Sequence, residues 1–314
     1  MWTEKYRPRT LEEIRDQTEI VKRLKQFVES RTMPHCLFAG PPGSGKTTAA
    51  LCLANDLFGK RFQDAFLELN ASDARGIDVV RSTIKQWASF APHSAVPFKI
   101  LVLDEADNMT GDAQHALRRT MELYTGSCRF ILCCNYSGKI IEPIQSRCAL
   151  FRFTPLPEDD VAEFLGYISK AEGVKVSSGG SKALIEASEG DLRKAVNILQ
   201  AVAAQKRVVE EETVYEVVAQ AKPKDVREML ETAVGGDFEK ARERLRAMLV
   251  MQGLSGPDIV RQIHSEIYRL QIPERAKVEA IEALGEIDFR LVQGANDEVQ
   301  LSSLLAKLGL VGKK

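Results

Sequence analysis

The chain of 314 residues carries 43 Lys and Arg against 44 Asp and Glu, with 44% hydrophobic and only 7% aromatic residues. At about 100–200 residues per domain this is two or three domains, and the apolar fraction rules out wholesale disorder. No apolar run approaches the roughly 20 residues that cross a bilayer, and Met1-Trp2-Thr3-Glu4-Lys5 lacks a signal peptide's apolar stretch, so a soluble cytoplasmic protein is expected.

The first 155 residues alternate short apolar runs with helical patterns. Strands are predicted at 36–39, 66–69, 99–103, 129–134 and 150–153, and helices at 47–58, 77–90, 112–124 and 142–147. Continuously apolar strands alternating with helices indicate an α/β fold with a parallel sheet covered on both faces. The grammar then changes. Pro155-Leu156-Pro157 leads into Glu158-Asp159-Asp160, acids that suit a helix N-terminus, and the pattern stays helical to Ala221. Pro223 marks a second boundary, followed by amphipathic stretches at 238–251 and 258–270. Three domains are expected: 1–155 α/β, 156–222 all-helical and 223–314 all-helical. Residues 1–155 hold 21 basic and 17 acidic side chains, a surplus that permits a polyanionic partner.

Cys36, Cys52, Cys128, Cys133, Cys134 and Cys148 form no C-x-x-C pair and read as reduced core residues. The four histidines, His35, His93, His115 and His264, make no metal-ligand spacing.

The run Gly40-Pro41-Pro42-Gly43-Ser44-Gly45-Lys46-Thr47 fits G-x-x-x-x-G-K-[ST], follows an apolar strand and opens a helix. Glycines let backbone N–H groups wrap phosphates, and the helix N-terminus adds a favourable dipole. Lys46 supplies charge, the Thr47 hydroxyl suits Mg²⁺, and Thr48 beside it belongs to the same nucleotide-binding run. Downstream, an apolar strand ends in Asp104-Glu105-Ala106-Asp107. Asp104 suits the metal shell and Glu105 the polarisation of an attacking water. Asp107 reads equally well as a cap of the following helix. Asn135 ends the fourth strand, where a polar side chain orients a water or simply makes a turn. Arg147 closes a short helix, and Arg193 opens a helix of the second domain; by pattern alone both also read as surface arginines.

These residues resemble the AAA+ ATPases, and among them the small-subunit family of the archaeal and eukaryotic clamp loader, replication factor C. The resemblance rests on Trp2-Thr3-Glu4-Lys5-Tyr6-Arg7-Pro8, Glu68-Leu69-Asn70-Ala71-Ser72-Asp73 and Asp104-Glu105-Ala106-Asp107. It also rests on 112–119, on Ile141-Glu142-Pro143-Ile144-Gln145-Ser146-Arg147-Cys148 and on Gly190-Asp191-Leu192-Arg193-Lys194. It implies a P-loop sheet domain, a helical lid and an all-α collar, with ATP and Mg²⁺ as cofactors. Its implied partners are a sliding clamp of the PCNA type, primer–template DNA bound without sequence preference, and the large and other small subunits in a pentameric ring. Asn135 becomes the sensor at the γ-phosphate, Arg193 a second sensor in cis, and Arg147 an arginine finger reaching ATP on the neighbouring subunit. Tyr6, Arg7 and Pro8 would border the adenine. One departure is Asp16-Gln17, where members usually carry Gly-Gln.

The resemblance also implies DNA contacts on two helices. Arg75, Arg81 and Lys85 lie on or just before 77–90, and Thr110, Gln114 and Arg118 on the helix after Thr110. By pattern alone Arg81 and Lys85, four residues apart on one face, suit duplex phosphates and salt-sensitive binding without base readout, or read as a solvated helix face. Trp87, Phe90, Ala91, Pro92 and Val96 read either as core or as an edge facing the clamp, while Gln300 to Lys314 spells no clamp-binding motif, Ser303 standing at its aliphatic position. An AAA+ DNA motor, such as a branch-migration helicase, is the competing reading.

Overall fold

The computed structural model describes residues 1–72, 77–92, 96–205, 208–218 and 221–311, those of 77–81 and 311 as backbone only. In chain order these form α1 (Trp2–Lys5), α2 (Thr18–Ser30), β1 (His35–Ala39), α3 (Lys46–Phe58), α4 (Phe62–Ala65) and β2 (Phe66–Asn70). Next come α5 (Ile77–Ser89), β3 (Lys99–Asp104), α6 (Gly111–Leu123), β4 (Cys128–Cys134), α7 (Glu142–Gln145) and β5 (Cys148–Arg152). The remainder is helical: α8 (Glu158–Glu172), α9 (Ser178–Ser188), α10 (Leu192–Ala204), α11 (Glu211–Val218) and α12 (Pro223–Val234), then α13 (Phe238–Arg246), α14 (Gly256–Ile267), α15 (Glu274–Val292) and α16 (Asp297–Val311). The chain packs as two compact units, Met1–Val176 with Leu184–Ala204, and Ser177–Ala183 with Gln205–Lys314.

The sheet of the first unit is wholly parallel, in the order β2-β3-β4-β1-β5. Alternation along its strands divides the core into two layers. Cys36, Phe38, Ile100, Val102, Ile131, Cys133 and Phe151 point to one face and pack with Leu24 of α2 and Ala50 and Leu53 of α3. Leu37, Ala39, Leu101, Leu103, Phe130 and Leu132 point to the other and pack with Ile84 of α5, Leu117 and Met121 of α6 and Ile144. Both faces are covered, so β1 is buried along its whole length and β3 along all but its last residue. That is why the strands read as unbroken apolar runs.

The predicted strands match these five within two residues at either end. Helix α2 was not predicted, although Ile20 and Leu24 carry the helical spacing that buries it. The predicted helix at 142–147 stops at Gln145, leaving Arg147 just beyond its end. The stretch 238–251 is α-helical only to Arg246 and continues as a π-turn over Ala247–Met251. The departure at Asp16-Gln17 has a conformational cost: both residues adopt left-handed backbone, φ 54° and 55°. Glycine takes that conformation freely, and Asp tolerates it better than most side chains. Gln17 is held there by a bond from its amide to the Thr154 carbonyl, 2.8 Å.

In the second unit, α12 to α16 close around one core that includes Met229, Leu230, Leu245, Ile263, Ile287 and Leu304. Arg227 and Arg269 both reach the buried Glu266 carboxylate there, at 2.7 and 2.9 Å. Among the described residues, no helix is long and apolar enough to cross a membrane. The six cysteines are free, five buried and Cys148 partly so.

His35 at the start of β1 is buried, and its Nδ1 accepts the Phe130 backbone N–H at 3.1 Å. Burial, aided by the Arg129 charge, lowers its pKa to about 4. The native state therefore resists protonation that the unfolded chain accepts near 6.5. Stability is complete above about pH 6.5 and falls as pH drops toward 4, by roughly 3 kcal/mol at most. Thermal melting across that range should show a loss that His35→Asn, whose Oδ1 can take the same N–H, largely removes.

Candidate functional site

Strand order and register bring three segments to one edge of the sheet. β1 lies beside β4 and β4 beside β3, with Ala39 level with Cys134 and Leu103 level with Leu132. Each strand ends there in a candidate segment: Gly40–Lys46 after β1, Asp104-Glu105 at the end of β3, and Asn135 after β4. Ligands bind beyond the carboxyl ends of strands in such sheets.

The loop 40–45 is shaped by close approaches. A Cβ on Gly40 would lie 2.4 Å from the Phe153 carbonyl oxygen. One on Gly43 would meet the Asp191 carboxylate at 2.0 Å, and Gly43 has φ 69° besides. Lys46 is buried at the start of α3, and its ammonium donates to the carbonyls of Gly40 (2.7 Å) and Pro41 (2.8 Å) and to Asn135 Oδ1 (3.2 Å). Burial pulls its pKa below the ordinary lysine range, while Asp104 and Asp107 oppose that shift. Thr47 donates its hydroxyl to Asp104 Oδ2 at 2.8 Å, and Asp104 Oδ1 accepts the Glu105 N–H at 2.9 Å. Glu105 itself has left-handed backbone, φ 52°. Strain of this kind in a non-glycine residue gathers at functional sites.

Asp107 has a role that sequence spacing leaves open. Its Oδ2 accepts the N–H groups of Asn135 (3.3 Å) and Tyr136 (3.2 Å), pinning the segment that carries the Asn135 side chain. It reaches across from β3 to β4, not along its own helix.

A cavity of about 300 Å³ joins these groups, lined by Gly43, Lys46, Thr47, Thr48, Asp104, Glu105 and Asn135. Tyr6, Arg7 and Pro8 close one side and Arg193 another, with Pro42, Ser44 and Gly45 between. Gly40 and Pro41 meet the site through their carbonyls on Lys46. The Arg7 guanidinium donates to the Thr48 hydroxyl at 3.3 Å. Glu68 was not singled out for this site. Burial raises its pKa, with Arg7 pulling the other way and Asp104 and Arg193 also within electrostatic reach. The N-terminal segment is strapped to the lid helices: Lys5 (2.6 Å) and Tyr6 (2.5 Å) both donate to Glu172 of α8, and the Trp2 N–H donates to Gln200 of α10 at 2.8 Å. These bonds hold the Glu172 carboxyl below its ordinary range.

Arg147 does not line the cavity. Its Nη1 donates to the Pro143 carbonyl at 2.7 Å, and its Nη2 pairs with Glu122 at 2.7 Å.

The DNA candidates divide. Arg75 and the Arg81 side chain lie outside the described residues, and Lys85 is exposed on α5. Thr110 caps α6, its Oγ1 accepting the Ala113 N–H at 3.3 Å. Gln114 has to be corrected. It is 3% exposed, donates to the carbonyls of Met109 and Lys139 and accepts the Ile141 N–H, so its amide is used up inside the protein. It sits one position from the Ala113–Leu117–Met121 stripe that faces the core. Arg118 is partly exposed, its Nε 4.0 Å from Glu122. At the suggested clamp edge Phe90 is 59% exposed, whereas Val96 is buried and the Trp87 ring carries the buried Lys99 ammonium.

A parallel sheet of this order, with a phosphate-binding loop after β1 and acids after β3, defines an AAA+ ATPase. A model of the ATPase family associated with various cellular activities matches 36–156, an RCF1/5-like AAA+ ATPase lid domain matches 163–204, and a replication factor C C-terminal domain matches 221–307. Relatives called replication factor C small subunit match end to end. That of Thermofilum pendens is 56% identical, covering 100% of this chain and 98% of its own, and that of Archaeoglobus fulgidus is 53% identical with the same coverage. The chain belongs to the replication factor C small-subunit family of AAA+ clamp loaders. The Holliday junction branch migration motor RuvB of Thermotoga maritima aligns with a TM-score of 0.55 over 80% of this chain and 86% of its own; at 18% identity that likeness is of fold alone.

Replacing Asp107 by Ala leaves two N–H groups at the end of β4 without their acceptor. We expect a loss of about 2 kcal/mol in stability and a fall in ATP turnover larger than any fall in nucleotide affinity, measured by denaturant melts, steady-state kinetics and equilibrium binding.

Proposed function

We propose that this chain is the ATP-driven small subunit of a cytoplasmic complex that opens a ring-shaped sliding clamp and closes it on primer–template DNA, with each ATP site completed by the next subunit. The observation that carries this reading is the position of Arg147. The cavity gathers a phosphate-binding lysine, two acids, a polar sensor and Arg193 from one chain, yet Arg147 projects elsewhere, 40% exposed. A guanidinium so placed is available to a neighbour's nucleotide.

The donor set at Thr47 and Asp104 consists of a hydroxyl and a carboxylate already 2.8 Å apart, hard oxygens suited to Mg²⁺, which keeps most of its waters and shares phosphate oxygens. When bound, the ion would offset charge on the β- and γ-phosphates. Lys46 would exchange its loop carbonyls for phosphate oxygens. Glu105 would polarise the attacking water, and Asn135, held by Asp107, would orient it or the γ-phosphate. Arg193 would register the nucleotide from the lid, and Tyr6, Arg7 and Pro8 would border the base. ATP would favour the ring state that grips clamp and DNA, and hydrolysis would release both. In a pentameric ring with a large subunit, Arg75, Arg81 and Lys85 would track the duplex together with Thr110 and Arg118 at the cap and along α6.

ATP turnover by the assembled complex should rise on adding clamp with primed DNA well beyond its rise with DNA alone; an equal rise in both would point to a DNA motor instead. Within that assembly, Arg147→Ala should leave nucleotide binding near normal and cut turnover by about 10³-fold, and an unchanged rate would remove the trans assignment. Charge reversal at Arg81 and Lys85 should reduce DNA stimulation more than basal turnover, with a shallower salt dependence of DNA binding.

A further inference from the structure

Arg147 is not a loose surface arginine. It follows α7 directly, and its two terminal nitrogens are taken by different acceptors: Nη1 by the Pro143 carbonyl at 2.7 Å and Nη2 by Glu122 Oε1 at 2.7 Å. The first acceptor belongs to α7, the second to the last turn of α6. A planar guanidinium gripped at both ends has a fixed plane and direction, which one acceptor alone does not impose. Among the described residues Nη1 makes one hydrogen bond and Nη2 one ion pair, which leaves Nε–H and further terminal hydrogens for an incoming anion.

The same Glu122 oxygen also faces Arg118, four residues earlier on α6, whose buried Nε lies 4.0 Å away and makes no hydrogen bond among the described residues. One carboxylate oxygen therefore stands between two guanidiniums, one on the helix proposed to meet DNA and the other the proposed finger.

We propose that Glu122 is a positioning residue for the ATPase reaction: it aims Arg147 for the neighbouring active site and shares its charge with Arg118. This rests on the reading of Arg147 as a finger acting in trans. Pre-setting such a group removes an ordering cost that would otherwise fall on the transition state. Both partners are 40% exposed, so water screens the pair and the effect of losing it stays modest.

The test uses the assembled complex with clamp and primed DNA. Glu122→Ala should lower kcat about twofold to fivefold while leaving the KM for ATP unchanged. Glu122→Gln keeps an acceptor oxygen at the same reach and should recover most of the loss. In an Arg147→Ala background, Glu122→Ala should cost nothing further, because the residue acts through Arg147. Wild-type kcat for Glu122→Ala beside a crippled Arg147→Ala overturns the proposal, as do losses that multiply in the double variant. Wild-type turnover in Arg147→Ala itself overturns the trans reading and takes this proposal with it, a result distinguishable from the other two.

Discussion

The site depends on one constraint, the parallel register that sets the ends of β1, β4 and β3 level. With Ala39 beside Cys134 and Leu103 beside Leu132, the loop 40–45, the Asn135 segment and the paired acids have no choice but to meet. A shift of one residue in any of these strands would turn its side chains to the opposite face of the sheet and break both core layers at once. The hydrophobic core and the geometry of the cavity are thus specified by the same alternation. The bonds at the edge follow: Lys46 to Asn135, Thr47 to Asp104, and Asp107 to the backbone of Asn135.

Much of this was legible in the residues. Strands buried on both faces leave unbroken apolar runs, and a Gly-rich loop before Lys46-Thr47 has few meanings once a strand precedes it and a helix follows. Local signals therefore singled out Lys46, Thr47, Asp104 and Glu105, which the fold brings to one cavity. What escaped was whatever depends on which elements lie side by side. Asp107 looks like a helix cap in sequence, and only the adjacency of β3 and β4 makes it the anchor of Asn135. Gln114 shows the reverse error. Its spacing from Arg118 is right for a shared face, but one step from the apolar stripe is enough to bury an amide that has three backbone partners nearby. Glu68 opens a motif of the resemblance but no chemistry was read into it, and its surroundings appear only when Arg7 and Arg193 fold toward it.

The arginines follow a division of labour that sequence spacing could not supply. Arg7 and Arg193 line the nucleotide cavity, whereas Arg147 and Arg118 share a carboxylate away from it. Two guanidiniums face inward to the cavity, and the other two meet at Glu122 outside it.

The strap between the first six residues and the lid has a mechanical meaning. Glu172 grips Lys5 and Tyr6 together, and Gln200 holds the Trp2 amide, so the amino terminus is fastened to two lid helices at once. Tyr6 and Arg7 also form a wall of the nucleotide cavity. A tilt of those helices would pull on that wall like a drawstring, coupling lid posture to the shape of the cavity through a handful of residues.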